Sequence, residues 1–274
     1  RTSHDGSWAR YEYDNANRLI SEARPVGNAG PAAPDSQCVV RTNSYAALDE
    51  SDIGDAAFRR PRTTTRMVLG QAVDRRFMHY SVSASGELTT ISKRAASPSA
   101  GYEDSGNLRT RTLRYPSGNS SVSAGKVKER ETPTGRLTLY EYAEGTVTTS
   151  AGPGDVTFPP AAGGDHVRTI ALDTVVGSPS GVAGQTTRSV TIATVNSCQI
   201  YSAAELLSAP DTWTPLNWTH RLLDGDGRMK TEWRSDGTRS DQNWGCCHPE
   251  SSTSADGTVT VPAYDELDNK IGRA

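Results

Sequence analysis

The chain has 274 residues, enough for one large or two small domains with a substantial core. Only 34% are hydrophobic and there are three Phe and three Met, so the core is expected to be thin and a compact α/β enzyme with fully buried strands is a poor match. A formal charge of −3, from 29 basic and 32 acidic residues without a long run of one sign, argues against nucleic-acid and membrane surfaces, and five Trp with ten Tyr argue against disorder.

The chain opens with "TSHDGSWARYEYDNANRLI", Thr2 to Ile20, and closes with "TSADGTVTVPAYDELDNKI", Thr253 to Ile271. At an offset of 251 the two share Thr-Ser, Asp-Gly, Tyr-Asp and the closing Ile. A shorter formula recurs between them: a small turn residue, a basic or polar residue, Leu or Met, alternating side chains, then a turn with Gly. It runs through "NRLISEARPVG" from Asn17, "GELTTISKRAASPSAG" from Gly86, "GNLRTRTLRYPSG" from Gly106, "GRLTLYEYAEG" from Gly135 and "GRMKTEWRSDG" from Gly227. In the fourth, Leu137, Leu139, Glu141 and Ala143 fall on one face of a strand and Thr138, Tyr140 and Tyr142 on the other. Gly135 and Gly145 are expected to supply positive φ in the flanking turns, as are the "DG" and "SG" pairs ending at Gly6, Gly106, Gly237 and Gly257.

The expected fold is therefore all-β, built of consecutive antiparallel hairpins. Segments Val26 to Ser36 and Ala151 to Asp165 read as loops, and "RRPRTTTR", Arg59 to Arg66, as a solvated basic strand or loop. A short helix or turn is expected at Ser202 to Pro210, where Ser202 and Glu205 have capping-box spacing before a proline, and another at Tyr45 to Phe58.

Four cysteines leave three arrangements open. Cys246 and Cys247 close a vicinal disulfide in a tight turn, or each pairs with a distant partner, Cys38 or Cys198, or the pair joins His248 at a zinc site that lacks the usual CxxC spacing. Five histidines share no metal-ligand spacing, and neither a GxSxG elbow nor a phosphate-binding glycine loop appears, so neither catalysis nor a cofactor is expected. "DGDGR", Asp224 to Arg228, opens like a calcium loop, but Lys230 and Thr231 stand where further oxygen ligands belong, so a β-turn is expected. Trp8, Tyr11, Trp233 and Trp244 lie beside repeat turns as candidate sugar-stacking platforms; the competing role is cross-strand packing.

Tyr13-Asp14 with Asn17-Arg18-Leu19, and Tyr264-Asp265 with Asn269-Lys270-Ile271, resemble the YD-x-x-G-R-L unit of the RHS, or YD-repeat, family. The resemblance covers about a third of the chain and is degenerate from Thr146 to His220, a section read as diverged or inserted within a single repeat segment spanning residues 1–274. It implies a long sheet of hairpins coiling into a shell or tube, a secreted or cell-surface location, and a non-catalytic scaffold role. The alternative is a carbohydrate-binding adhesin module, and a glycan-active enzyme is the third reading. The expected partners are adjoining repeats of a longer parent chain or further copies of this chain adding end to end, with glycans under the second reading. The chain does not open on Met and its last unit stops half-way, so it is expected to be a window on a longer array.

Overall fold

The computed structural model describes residues 8–53, 60–118, 121–149, 156–178, 180–196, 198–265 and 270–273. Among these the secondary structure is almost all strand; the one helical piece is a 3₁₀ turn at Asp35–Gln37. The chain forms two compact units, residues 1–119 with 124–135, and residues 136–274 with 120–123.

In the first unit β1 (Arg10–Tyr13), β2 (Leu19–Pro25), β3 (Cys38–Ser44), β4 (Thr63–Val68), β5 (Gln71–Val82), β6 (Leu88–Arg94), β7 (Leu108–Arg114) and β8 (Val127–Glu131) each pair antiparallel with the next. In the second, β9 (Leu137–Gly145) is followed by a small two-stranded piece, β10 (Thr148–Thr149) with β11 (Val156–Thr157), and then pairs with β12 (His166–Asp173). The ladder continues strand by strand through β13 (Thr187–Thr194), β14 (Gln199–Ala209), β15 (Thr212–Leu223), β16 (Met229–Arg234), β17 (Arg239–Trp244), β18 (Pro249–Thr253) and β19 (Val259–Thr260). A last hairpin joins β20 (Pro262–Tyr264) to β21 (Lys270–Arg273). The fold is all-β and consecutive, as the sequence formula requires. The Leu or Met of every copy of that formula is the first residue of a strand: Leu19, Leu88, Leu108, Leu137 and Met229.

The apolar interior is thin, as composition dictates. Trp8, Ala23, Ala33, Cys38 and Val40 form one buried cluster in the first unit, and Val190, Ile192, Ala203 and Leu207 are buried on β13 and β14 in the second. Polar anchoring supplements it. Arg62, just before β4, and Asp52 are buried with no side-chain exposure, and the Arg62 Nε lies 2.9–3.0 Å from both carboxylate oxygens. The guanidinium also donates to the carbonyls of Ile53 and Arg60 and lies 4.7 Å from the Tyr80 ring centre, while the backbone N–H groups of Leu48 and Tyr80 donate to the carboxylate. Each charge is thus neutralised and hydrogen-bonded, the condition for burying a pair at tolerable cost.

Several expectations are adjusted by the structure. Ser202 to Ala209 is the body of β14, with Ala203 opposite both Val190 and Trp218, so strand pairing on two sides overrides a local helix signal. Pro210 ends that strand, and Asp211 at φ 56° turns into β15. From Tyr45 to Ile53 the chain takes the turn alternative, in turns and bends held by the Asp52 bonds; residues 54–58 of that segment lie outside the described residues. Gly145 and Gly106 do not adopt positive φ. Gly145 is the buried end of β9, where a Cβ would come 2.5 Å from the Pro159 carbonyl oxygen, so it is required for close approach rather than for a turn. Gly6 lies outside the described residues. The section read as diverged or inserted holds successive antiparallel strands at residues 166–173, 187–194, 199–209 and 212–223, with register shifts in the second and third of the three ladders between them. In the basic segment, Thr63–Val68 forms β4, but Arg62 is buried rather than solvated.

Candidate functional site

The feature that recurs is a turn. Five hairpins close over residues i to i+4 beginning at Asp14, Ser83, Asp224, Arg234 and Ser254. In each, the N–H of residue i donates to the carbonyl of i+4 and the N–H of i+3 donates back to the carbonyl of i, at 2.9–3.0 Å. Residue i+3 has positive φ in all five: Asn17, Gly86, Gly227, Gly237 and Gly257. This is the three-residue hairpin loop with a left-handed residue at the bulge, which matches the right-handed strand twist. The flanking pairs Tyr13 with Leu19, Val82 with Leu88, Leu223 with Met229, Trp233 with Arg239 and Thr253 with Val259 share one register.

A side-chain oxygen completes each copy. The N–H of i+4 donates to the side chain of residue i in three turns (Arg18 to Asp14, Glu87 to Ser83, Arg228 to Asp224) and to residue i+2 in two (Thr238 to Asp236, Thr258 to Asp256), at 2.9–3.1 Å. In the two fullest copies the arginine at i+4 returns its Nε to the same aspartate, at 2.6 Å for Arg18 and 2.8 Å for Arg228. Both carboxyls are held below their ordinary value, first by the backbone N–H of that arginine and further by its side chain, against some desolvation. "DGDGR" is therefore a turn, and no group of three or more His, Cys, Asp or Glu side chains among the described residues is gathered as a metal would need.

An aromatic ring closes over each of these arginines. Tyr45 stacks on Arg18, 4.5 Å from guanidinium carbon to ring centre, and donates its hydroxyl to the Leu19 carbonyl. Trp244 lies over Arg228 at 5.4 Å and donates its indole N–H to the Met229 carbonyl at 2.7 Å. In both, the acceptor is the residue after the arginine, so the ring and its polar tip lock the turn to the end of the next strand. Tyr45 was not singled out by the sequence, because its partner is brought to it across the sheet; the signal was an aromatic at or just past the end of the second strand after each Asp-x-x-[Asn/Gly]-Arg.

The candidate sugar platforms divide accordingly. Trp8 is 6% exposed inside the first core cluster, with its indole N–H on the Ala29 carbonyl, and offers no ring face to a sugar. Trp244 covers Arg228, and Trp233 packs against the His220 ring at 5.5 Å and Arg239 at 5.6 Å. Tyr11, at the edge of β1, is 39% exposed. Of the motif residues, Tyr13 is exposed, Tyr264 stacks on His248 at 4.0 Å and donates to the Pro249 carbonyl, and Asp265 follows β20. Tyr264 pairs with Lys270 as Tyr13 pairs with Leu19, so Lys270 occupies the leucine position and the 251-residue offset holds without a slip.

No disulfide bond joins the four cysteines in this structure. Cys38 is sealed in the first unit's core; Cys198 lies beside Gly227, whose Cβ would come 3.3 Å from the sulfur; and Cys246 and Cys247 are exposed with sulfurs 2.8 Å apart. The trio closest to hydrolytic chemistry is Ser51, His79 and Asp49. Ser51 Oγ and Asp49 Oδ1 both approach the same nitrogen, His79 Nε2, at 3.1 and 3.0 Å, and the serine hydroxyl donates to Asp49 at 2.7 Å. A nucleophile–base–acid relay needs the two partners on opposite ring nitrogens, and His79 Nδ1 is buried without a partner. The trio instead holds the loop to β5, and it pushes Asp49 down to about 2, chiefly through the Ser51 hydroxyl and then His79.

Fold and turn together define an all-β protein of serial hairpins, five of which among the described residues are closed by one repeated turn. No family model matches the chain and no curated protein does. Among solved structures, one described as the crystal structure of TcdB2-TccC3-TEV aligns at 13% identity and a TM-score of 0.22, over 97% of this chain and 18% of that one. The chain thus spans less than a fifth of that protein's length. Likeness at that score carries no argument about role.

Proposed function

We propose that this chain is a non-catalytic structural segment of a secreted or cell-surface YD-repeat protein, which holds a long hairpin array in shape. The observation that carries the reading is the turn itself, built five times with the same register, the same backbone bonds and the same left-handed position. Chemistry at a site asks for one constellation found once; stiffness along a sheet asks for one connection repeated. Adjoining repeats, or further copies pairing at the free strand edges, are the partners that such an array takes.

The competing reading is a carbohydrate-binding module using Trp233 and Trp244. A neutral-glycan array on the purified protein separates the two. The scaffold reading expects no saturable binding; saturable binding lost in Trp233→Ala or Trp244→Ala would replace it with the adhesin.

A further inference from the structure

The outer residues of β2 to β6 line a groove of about 740 Å³ in the first unit. That volume is in the range of small-molecule sites rather than of a polymer track. Strand alternation puts Arg24, Arg41, Arg66 and Arg76 on this one face, and Arg60 joins them from the preceding loop; among the described residues the acids lining it are Glu22 and Asp74. Both acids are already engaged. Glu22 pairs with Arg24 at 2.8 Å, and Asp74 with Arg76 at 2.9 Å and with Arg94 at 3.0 Å.

Arg41 and Arg66 are left over. They stand directly opposite each other on β3 and β4, both exposed; Glu22 faces Arg41 from β2 and Asp74 faces Arg66 from β5, but no ion pair joins either arginine to an acid among the described residues. Like charges at directly opposed positions, with Cβ atoms about 5 Å apart, destabilise a sheet. Two planar guanidiniums at that spacing form a fork that a single tetrahedral oxyanion bridges, which turns the repulsion into charge-assisted hydrogen bonds. Thr64 and Ser92 add hydroxyls to the lining, and Val39 and Met78 give it an apolar floor.

We propose that this groove binds a small ligand bearing a phosphate or sulfate group, clamped by Arg41 and Arg66. The proposal is independent of the scaffold reading, which stands or falls on the turns of both units. The test is titration calorimetry of the whole protein at low ionic strength with inorganic phosphate and inorganic sulfate, then with glucose 6-phosphate and glucose 6-sulfate to separate a free anion from an ester. Saturable one-to-one binding of at least one of the four is expected. Arg41→Ala and Arg66→Ala each weaken it tenfold or more, and Arg239→Ala in the second unit leaves it unchanged. Absence of saturable heat with all four anions overturns the proposal. So does less than a twofold change in either groove variant, or binding confined to a polyanion such as a single-stranded oligonucleotide.

Discussion

Replacing Asp52 by alanine removes one half of the most deeply buried charge pair among the described residues. Arg62 keeps its carbonyl acceptors at Ile53 and Arg60, but its charge loses the carboxylate, and the N–H groups of Leu48 and Tyr80 lose their acceptor. Breaking a buried pair from one side costs about 3–5 kcal/mol, because the remaining charge is uncompensated. For a cooperative unit of this size each kcal/mol lowers the thermal midpoint by roughly 2–8 °C, so the first unit should melt about 10 °C or more below wild type. Urea denaturation followed by circular dichroism measures it, with Arg62→Met and the double variant Asp52→Ala/Arg62→Met completing a cycle. The double variant removes both charges and should be less destabilised than the sum of the single ones by about 2 kcal/mol or more. A loss under about 1 kcal/mol for Asp52→Ala, or additive single effects, would refute the claim that this pair pins the loop before β4.

Other expectations concern the turns, pH and the thiols. Gly227→Ala places a Cβ at φ 78° and should cost about 1–2 kcal/mol by chemical denaturation, whereas Asn17→Gly, at a position already left-handed at φ 59°, should be neutral or slightly stabilising. Asp224→Ala, which empties the backbone donations from Asp226 and Arg228 as well as the ion pair, and Arg228→Ala, which also empties donations to the Gly245 and Cys246 carbonyls, should each lower the melting temperature; an unchanged midpoint in either would refute a role for this turn's side chains. Asp49 and Asp256 are both lowered to about 2 from 3.8, so their contribution is present above pH 3.8 and is lost as pH falls toward 2. Burial raises Tyr102 to about 12 from 10.0, so its contribution is present below pH 10 and is lost between 10 and 12. Melting curves across pH should be flat between these limits and fall outside them. Non-reducing peptide mapping of the protein from its source should show Cys246 joined to Cys247; four alkylatable thiols would refute that.

What the sequence revealed was what depends on near neighbours. An Asp, a Gly or Asn three residues on and an Arg at the fourth define the turn within five residues, and the Leu or Met that follows starts the strand, so those hairpins could be read directly. The strand from Thr63 to Val68 and the run from His166 to Leu223 lack that punctuation, and only their pairing partners fix them. Ser202 and Glu205 carry a capping signal that is meaningful for an isolated segment and is overruled once Ala203 finds Val190 and Trp218. The clamp of Tyr45 on Arg18, the burial of Trp8 and the facing of Arg41 with Arg66 all depend on which residues the sheet sets side by side, a relation that composition and local spacing do not contain.

The central claim is that one turn, repeated, holds the array. Amide hydrogen exchange by NMR tests it at ten sites: the N–H of residues i and i+4 in each turn, Asp14 and Arg18, Ser83 and Glu87, Asp224 and Arg228, Arg234 and Thr238, Ser254 and Thr258. The account predicts that all ten exchange slowly, at rates close to those of the strands they join, although the turns face solvent. Exchange at loop-like rates in three or more of the five turns would contradict it.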